Sequence, residues 1–250
     1  MKNIALLSAA GRHLTYIILF FISYLPASAQ PGSSDKGIAR LTRYDVKPGY
    51  EDQFRKALSQ YVGYSMAIEG NIMAEAYYEQ DNTTVLWLIE RWKNRKELDY
   101  GNAGKQFRAV ETLAQKALST PSKPFYVSDL EPLSKQQWRK AANKGDNQLT
   151  IMLFVDARPG SQDTFKEVYH IAMPQFRSEP GVVTYQLSQL EGDSTRFVTY
   201  EKFRSPEAFQ YHLKFPPIQP VIDYLHTSIR KQPFQDGLHN LIEFAPLIRE

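Results

Sequence analysis

The chain has 250 residues, 42% hydrophobic and 13% aromatic, with a formal net charge of +3 and no cysteine. That apolar content suffices for well-packed cores, and the missing thiols exclude disulfides, thiol catalysis, Cys-ligated zinc and lipid attachment at an N-terminal cysteine. Basic residues are scattered, Lys93, Arg95 and Lys96 being the densest group, which reads as a solvated face and not a nucleic-acid surface.

Taken in order, Lys2 and Arg12 precede an apolar run from Leu14 to Leu25, then Pro26 and the small-residue pattern Ala27-Ser28-Ala29. The pattern predicts a secretory signal over residues 1–29, cut before Gln30. The run falls short of the roughly 18 apolar residues a membrane span needs. Cleavage would leave a nearly neutral periplasmic or secreted protein with no stable membrane anchor. The Pro, Gly and Ser residues between Pro31 and Lys36 read as a flexible lead-in.

A first domain is expected over residues 37–133. Ile38 to Val46 has the character of a strand, closed by Lys47-Pro48-Gly49, since proline lacks a ladder donor and glycine tolerates positive φ. Phe54, Ala57, Leu58, Tyr61 and Ser65 follow helical spacing, with Gly70 beyond the helix end. Ile72 to Tyr78 and Val85 to Trp92 form a predicted hairpin about Asp81-Asn82. Asn94 can cap one long second helix carrying Phe107, Val110, Leu113, Ala114 and Ala117 on one face, and Phe125 to Leu130 makes a fourth strand. The polar stretch from Glu131 to Gln148 supplies an interdomain linker, placed at 134–147.

The second domain, 148–250, repeats this order. Leu149, Ile151, Leu153 and Val155 alternate as a strand before Arg158-Pro159-Gly160. Phe165, Val168, Ala172 and Phe176 form a helical stripe that ends at Glu179-Pro180-Gly181, where the residue before proline avoids the helical region and Gly181 can turn left-handed. Val183, Tyr185 and Leu187 alternate, Gly192-Asp193 turns, and Phe197 to Phe203 is a third strand. Ser205-Pro206 opens a helix carrying Ala208, Phe209 and His212. Pro216 and Pro217 interrupt it, Ile218 to Ile229 resumes the pattern, and Leu241 to Phe244 is the last strand.

The two halves align without gaps at a spacing of 111 residues, placing Lys47-Pro48-Gly49 on Arg158-Pro159-Gly160, Phe54 on Phe165, Glu90 on Glu201 and Gly101 on His212. This is the mark of an internal duplication. Two βαββαβ units, each with a Pro-Gly turn after strand one and a Glu followed by an aromatic at the end of strand three, resemble the antibiotic-biosynthesis monooxygenase family. The resemblance rests on Arg158-Pro159-Gly160, Phe165, Ser178-Glu179-Pro180-Gly181, Tyr200-Glu201-Lys202-Phe203, Ser205-Pro206-Glu207-Ala208 and His212. It implies an α+β fold in which two ferredoxin-like βαββαβ repeats pair their antiparallel sheets into an intramolecular α+β barrel. A homodimer of the tandem unit stays open.

The resemblance also implies a function. Better-known members oxidise electron-rich aromatics such as quinols with molecular oxygen and without a cofactor. The sequence is compatible with that mode: it has no Gly-x-Gly-x-x-Gly or Gly-x-x-x-x-Gly-Lys loop, and its histidines, at 13, 170, 212, 226 and 239, lack the close spacing of a helical metal motif. The expected partners are a small aromatic molecule and molecular oxygen. His212 would take the phenolic proton, Glu201 would orient it, and Tyr185, Tyr200 and Phe203 would line the pocket. The alternatives are a buried histidine held by a carbonyl, Glu201 as a structural ion-pair member, and a non-catalytic small-ligand-binding or scavenging protein on the same barrel. Haem is a minor option, because neither half holds the Asn, Trp and His of haem-degrading members. Pro217 also stands where the family often has a second histidine.

Overall fold

The computed structural model describes residues 37–230 and 237–247. The expected signal segment, 1–29, lies outside the described residues. The first repeat runs β1 (Ile38–Asp45), α1 (Glu51–Met66), β2 (Asn71–Glu79), β3 (Val85–Trp92), α2 (Arg95–Asn102), α3 (Lys105–Ala117) and β4 (Lys123–Leu130). After a short helix, α4 (Lys135–Trp138), the second repeat follows as β5 (Leu149–Asp156), α5 (Gln162–Ser178), β6 (Val182–Leu190), β7 (Arg196–Phe203), α6 (Pro206–His212), a 3-10 turn (Pro216–Ile218), α7 (Gln219–Thr227) and β8 (Leu238–Ala245).

The eight strands close into one antiparallel barrel in the order β1-β3-β2-β8-β5-β7-β6-β4. Each repeat contributes a four-stranded sheet, and the sheets join along two seams. Tyr77 pairs with Glu243 across β2 and β8, and Val127 with Leu190 across β4 and β6. Closure leaves neither sheet a free edge. The duplication extends to the register: Leu41 lies opposite Ile89 as Met152 lies opposite Tyr200, and β2 and β6 are irregular at the same point, Asn71/Met73 and Val182/Thr184.

Alternation along the strands makes three apolar layers. One fills the barrel, with Leu41, Trp87, Met152 and Phe154. The others lie outside it, under the helices of each repeat: Phe54, Leu58, Leu88 and Val110 in the first, Phe165, Phe176, Phe197 and Phe203 in the second. The Pro-Gly turns work as the sequence implies, Gly49 and Gly160 having φ of 90° and 91°.

Three local expectations change. Gly181 does not adopt positive φ; its lack of a side chain makes room for α6, since an added Cβ would collide with the Ala208 Cβ. The single second helix of the first repeat is two, broken where Gly104 turns extended beside the Tyr64 ring. The segment between the repeats is anchored rather than a free spacer. Ser134 and Gln137 form a capping box, Trp138 is buried, and Arg139 bonds the Asn71 and Ile72 carbonyls. The Arg91 guanidinium lies 3.8 Å from the centre of the Trp138 ring, so this helix covers the barrel interior.

Candidate functional site

In the second repeat the sheet face and the helices outside it leave a cavity of about 170 Å³. β5 contributes Ile151 and Leu153, β6 Tyr185, β7 Glu201 and α6 His212, with Val221 and Leu225 of α7 across from the sheet. The start of α6 sets the histidine: Ser205 accepts from the Ala208 N–H at 3.3 Å, Pro206 takes the first turn, and His212 ends it, 1% exposed. Phe176 meets its ring edge-on at 4.7 Å, and Tyr185 and Phe203 pack at 5.4 and 5.3 Å.

The carboxylate holding His212 is Glu179, whose Oε1 lies 2.7 Å from Nδ1. Pro180 keeps Glu179 extended, at φ −63° and ψ 133°, where α5 stops, and this brings its side chain under α6. With Nδ1 engaged, Nε2 is the ring nitrogen left for a ligand. Burial depresses the His212 pKa to about 4, so the imidazole is neutral at pH 7. Burial, and after it the charge of Glu201, pushes Glu179 up to about 7, and its Oε2 is buried with no hydrogen-bond partner among the described residues.

Glu201 faces the same cavity. Its Oε1 accepts from the Thr199 hydroxyl at 2.7 Å and the Tyr185 hydroxyl at 2.9 Å. Burial raises it to about 7 against those two hydrogen bonds, and among the described residues no cation offsets the desolvation. The arrangement is therefore a neutral imidazole that resists protonation and a carboxyl group that exchanges its proton near pH 7, at one end of an apolar pocket.

The first repeat has the same backbone without the same space. Glu90 accepts from the Arg40 Nε at 2.8 Å and again from its terminal nitrogen, from the Tyr61 hydroxyl at 2.7 Å and from the Trp92 indole at 3.2 Å. Arg40 stands where the second repeat has Ile151. Gly101 stands where it has His212, and a Cβ there would lie 2.5 Å from the Trp92 ring. Side chains fill the volume that the second repeat leaves open.

Of the residues expected at the site, the structure brings together His212, Glu201 and Tyr185, and Phe203 packs on the imidazole. Tyr200 lies on the opposite face of the sheet, inside the barrel, where it bonds Glu75 and, at 2.5 Å, the Tyr77 hydroxyl. Lys202 joins that cluster, reaching Glu75 at 2.7 Å and Glu243 at 3.1 Å. Period-two counting separates Tyr200 from Phe203 and could have placed it there. Glu179 carries no comparable signal: its place before Pro180 marks a helix end and nothing in the spacing ties it to His212. Among the described residues, no group of three or more His, Asp or Glu side chains could hold a metal ion.

Comparison with known proteins agrees with this architecture. The family described as antibiotic biosynthesis monooxygenase matches twice, over residues 37–112 and 149–222. A candidate monooxygenase from Lactobacillus acidophilus NCFM has a similar fold, with a TM-score of 0.69 at 15% identity, covering 83% of this chain and 94% of that one. Another from Fusobacterium nucleatum has a TM-score of 0.71 at 12% identity, covering 83% and 92%. An uncharacterized protein from Synechocystis is 24% identical over 88 residues, 35% of this chain and 55% of that protein, so the match spans about half the length of that curated relative.

Proposed function

Because the chain belongs to the antibiotic biosynthesis monooxygenase family, we propose that its second repeat oxidises a small aromatic, quinol-like compound with molecular oxygen, using no cofactor. The observation carrying this reading is the cavity of about 170 Å³ with His212 and Glu201 on its wall, set against a first repeat filled by its own side chains. A phenolic hydroxyl docked at that wall would give its proton to the Glu201 carboxylate or to Nε2 of neutral His212. The resulting phenolate is richer in electrons than the phenol and passes one to oxygen more readily. Glu179, and not Glu201, acts as the positioning residue, through Nδ1 of His212.

The N-terminal pattern supports delivery to the periplasm or beyond; a mature protein beginning at Gln30 in that fraction is the expected finding. The functional test is oxygen uptake by the purified protein over a hydroquinone panel. His212→Ala is expected to lower the rate by about 10²-fold or more. A variant as fast as the unaltered protein would remove His212 from the mechanism. Thermal stabilisation by the same aromatics without any uptake would identify a binding protein instead.

A further inference from the structure

The cavity's size and its uneven wall restrict what it can hold. A buried apolar cavity of about 150 Å³ accommodates one benzene molecule, and this one measures about 170 Å³. One six-membered ring with small substituents fills that volume at ordinary packing density, and a second fused ring would have to extend toward the exposed Leu213 and Leu238 at its rim. The polar groups are gathered on one side, Tyr185, Glu201 and His212, while Leu153, Val221 and Leu225 present only hydrocarbon. A ring with a hydroxyl at one end matches both halves of this wall.

Ile151 stands directly across from Glu201 in the pairing of β5 with β7, is 1% exposed, and lines the cavity. The corresponding position in the first repeat is Arg40, whose side chain occupies the space beside Glu90. The size of the side chain at this position therefore governs how much room remains beside the carboxyl group.

Building on the function proposed above, we infer that the site takes a one-ring phenol or hydroquinone, its hydroxyl at Glu201 and His212, and that Ile151 is the specificity-determining residue that rejects fused-ring analogues. Hydrophobicity alone predicts the reverse order, because a larger aromatic surface gains more on leaving water. A preference for the smaller ring is thus diagnostic of a restricted volume beside the carboxyl group.

The experiment measures binding of phenol, 1-naphthol and 1-anthrol to the full chain by calorimetry, with oxygen uptake from hydroquinone and 1,4-naphthohydroquinone measured alongside. The expected result is phenol bound about tenfold or more tighter than 1-naphthol, with 1-anthrol weaker still. Ile151→Ala should narrow or reverse that ratio. Ile151→Val, which removes a single methylene and is the safer variant to fold, should move it the same way by less. Naphthol bound as tightly as phenol, no phenol binding at all, or a ratio unmoved in the folded variants would overturn the inference. Binding in the expected order without oxygen uptake would refute the oxidation and leave the ring-size rule standing.

Discussion

Glu90 and Glu201 occupy the same strand position in two copies of one fold, yet only Glu90 meets a guanidinium, that of Arg40. With its cation, a buried carboxylate becomes part of the scaffold. Without one, and bordered by open space, it keeps a proton affinity near neutrality and a face toward a ligand. The division of labour between the repeats thus turns on the residue opposite the glutamate, arginine in one and isoleucine in the other.

Removing that cation should damage the first repeat alone. Arg40→Met would leave the Glu90 carboxylate buried with only the Tyr61 and Trp92 donors, which is expected to lower stability by about 3–5 kcal/mol in denaturant unfolding. Oxygen uptake per folded molecule should not change, because Arg40 does not border the cavity. Loss of uptake in the folded variant would show that the first repeat takes part in the chemistry.

Glu201→Gln should stabilise the protein at alkaline pH. A folded pKa of about 7 against the ordinary 4.5 of a glutamate means the native state holds this proton more tightly, so wild-type stability from this group is full below pH 4.5 and is lost as pH rises through 7. Glutamine keeps the oxygen that accepts from Thr199 and Tyr185 and carries no charge to desolvate. At pH 8 the variant is expected to exceed wild type by about 1–3 kcal/mol, with the difference vanishing near pH 4.5. Thermal melts at the two pH values decide it.

The pH–rate profile should assign the base. If Glu201 takes the proton, kcat falls about tenfold for each pH unit below 7, and Glu201→Gln abolishes that dependence. Glu179→Gln still offers an acceptor to Nδ1, so it should lower kcat by about tenfold with little change in KM while keeping the inflection. An inflection lost in Glu179→Gln and kept in Glu201→Gln would exchange the two roles.

Trp138 should matter to stability although it lies between the repeats. It is 3% exposed, packs against Tyr200 at 5.5 Å and carries Arg91 on its face. Trp138→Ala is expected to cost about 3–5 kcal/mol and to increase hydrogen exchange in β2 and β7. A cost below about 1 kcal/mol would mean that the segment is a tether after all.

Much of the fold was legible because the features specifying it are local. Pro48-Gly49 and Pro159-Gly160, the Ser205-Pro206 helix start and the apolar residues at every second position of β5 and β6 each act within a few residues. The site was legible only in part. His212 and Glu201 could be named, but the contact between His212 and Glu179 joins residues 33 apart in sequence, through packing that no periodicity encodes. Arg40 was invisible for the same reason: its effect is to fill a volume, and volumes follow from the whole layer of side chains. Glu75, Lys202 and Glu243 meet one another from three different strands, a grouping that no local pattern marks.

The seam between β2 and β8 carries a consequence for synthesis. As the chain leaves the ribosome, the first repeat can complete its own sheet, but the outer edges of β2 and β4 have no partners until the second repeat follows, and β2 must wait for the strand at Leu238–Ala245. During that interval the nascent protein exposes two open strand edges, which are templates for pairing with a neighbouring chain on the same message. A stall late in translation should therefore be more hazardous than an early one, because most of the barrel already exists without its closing strand.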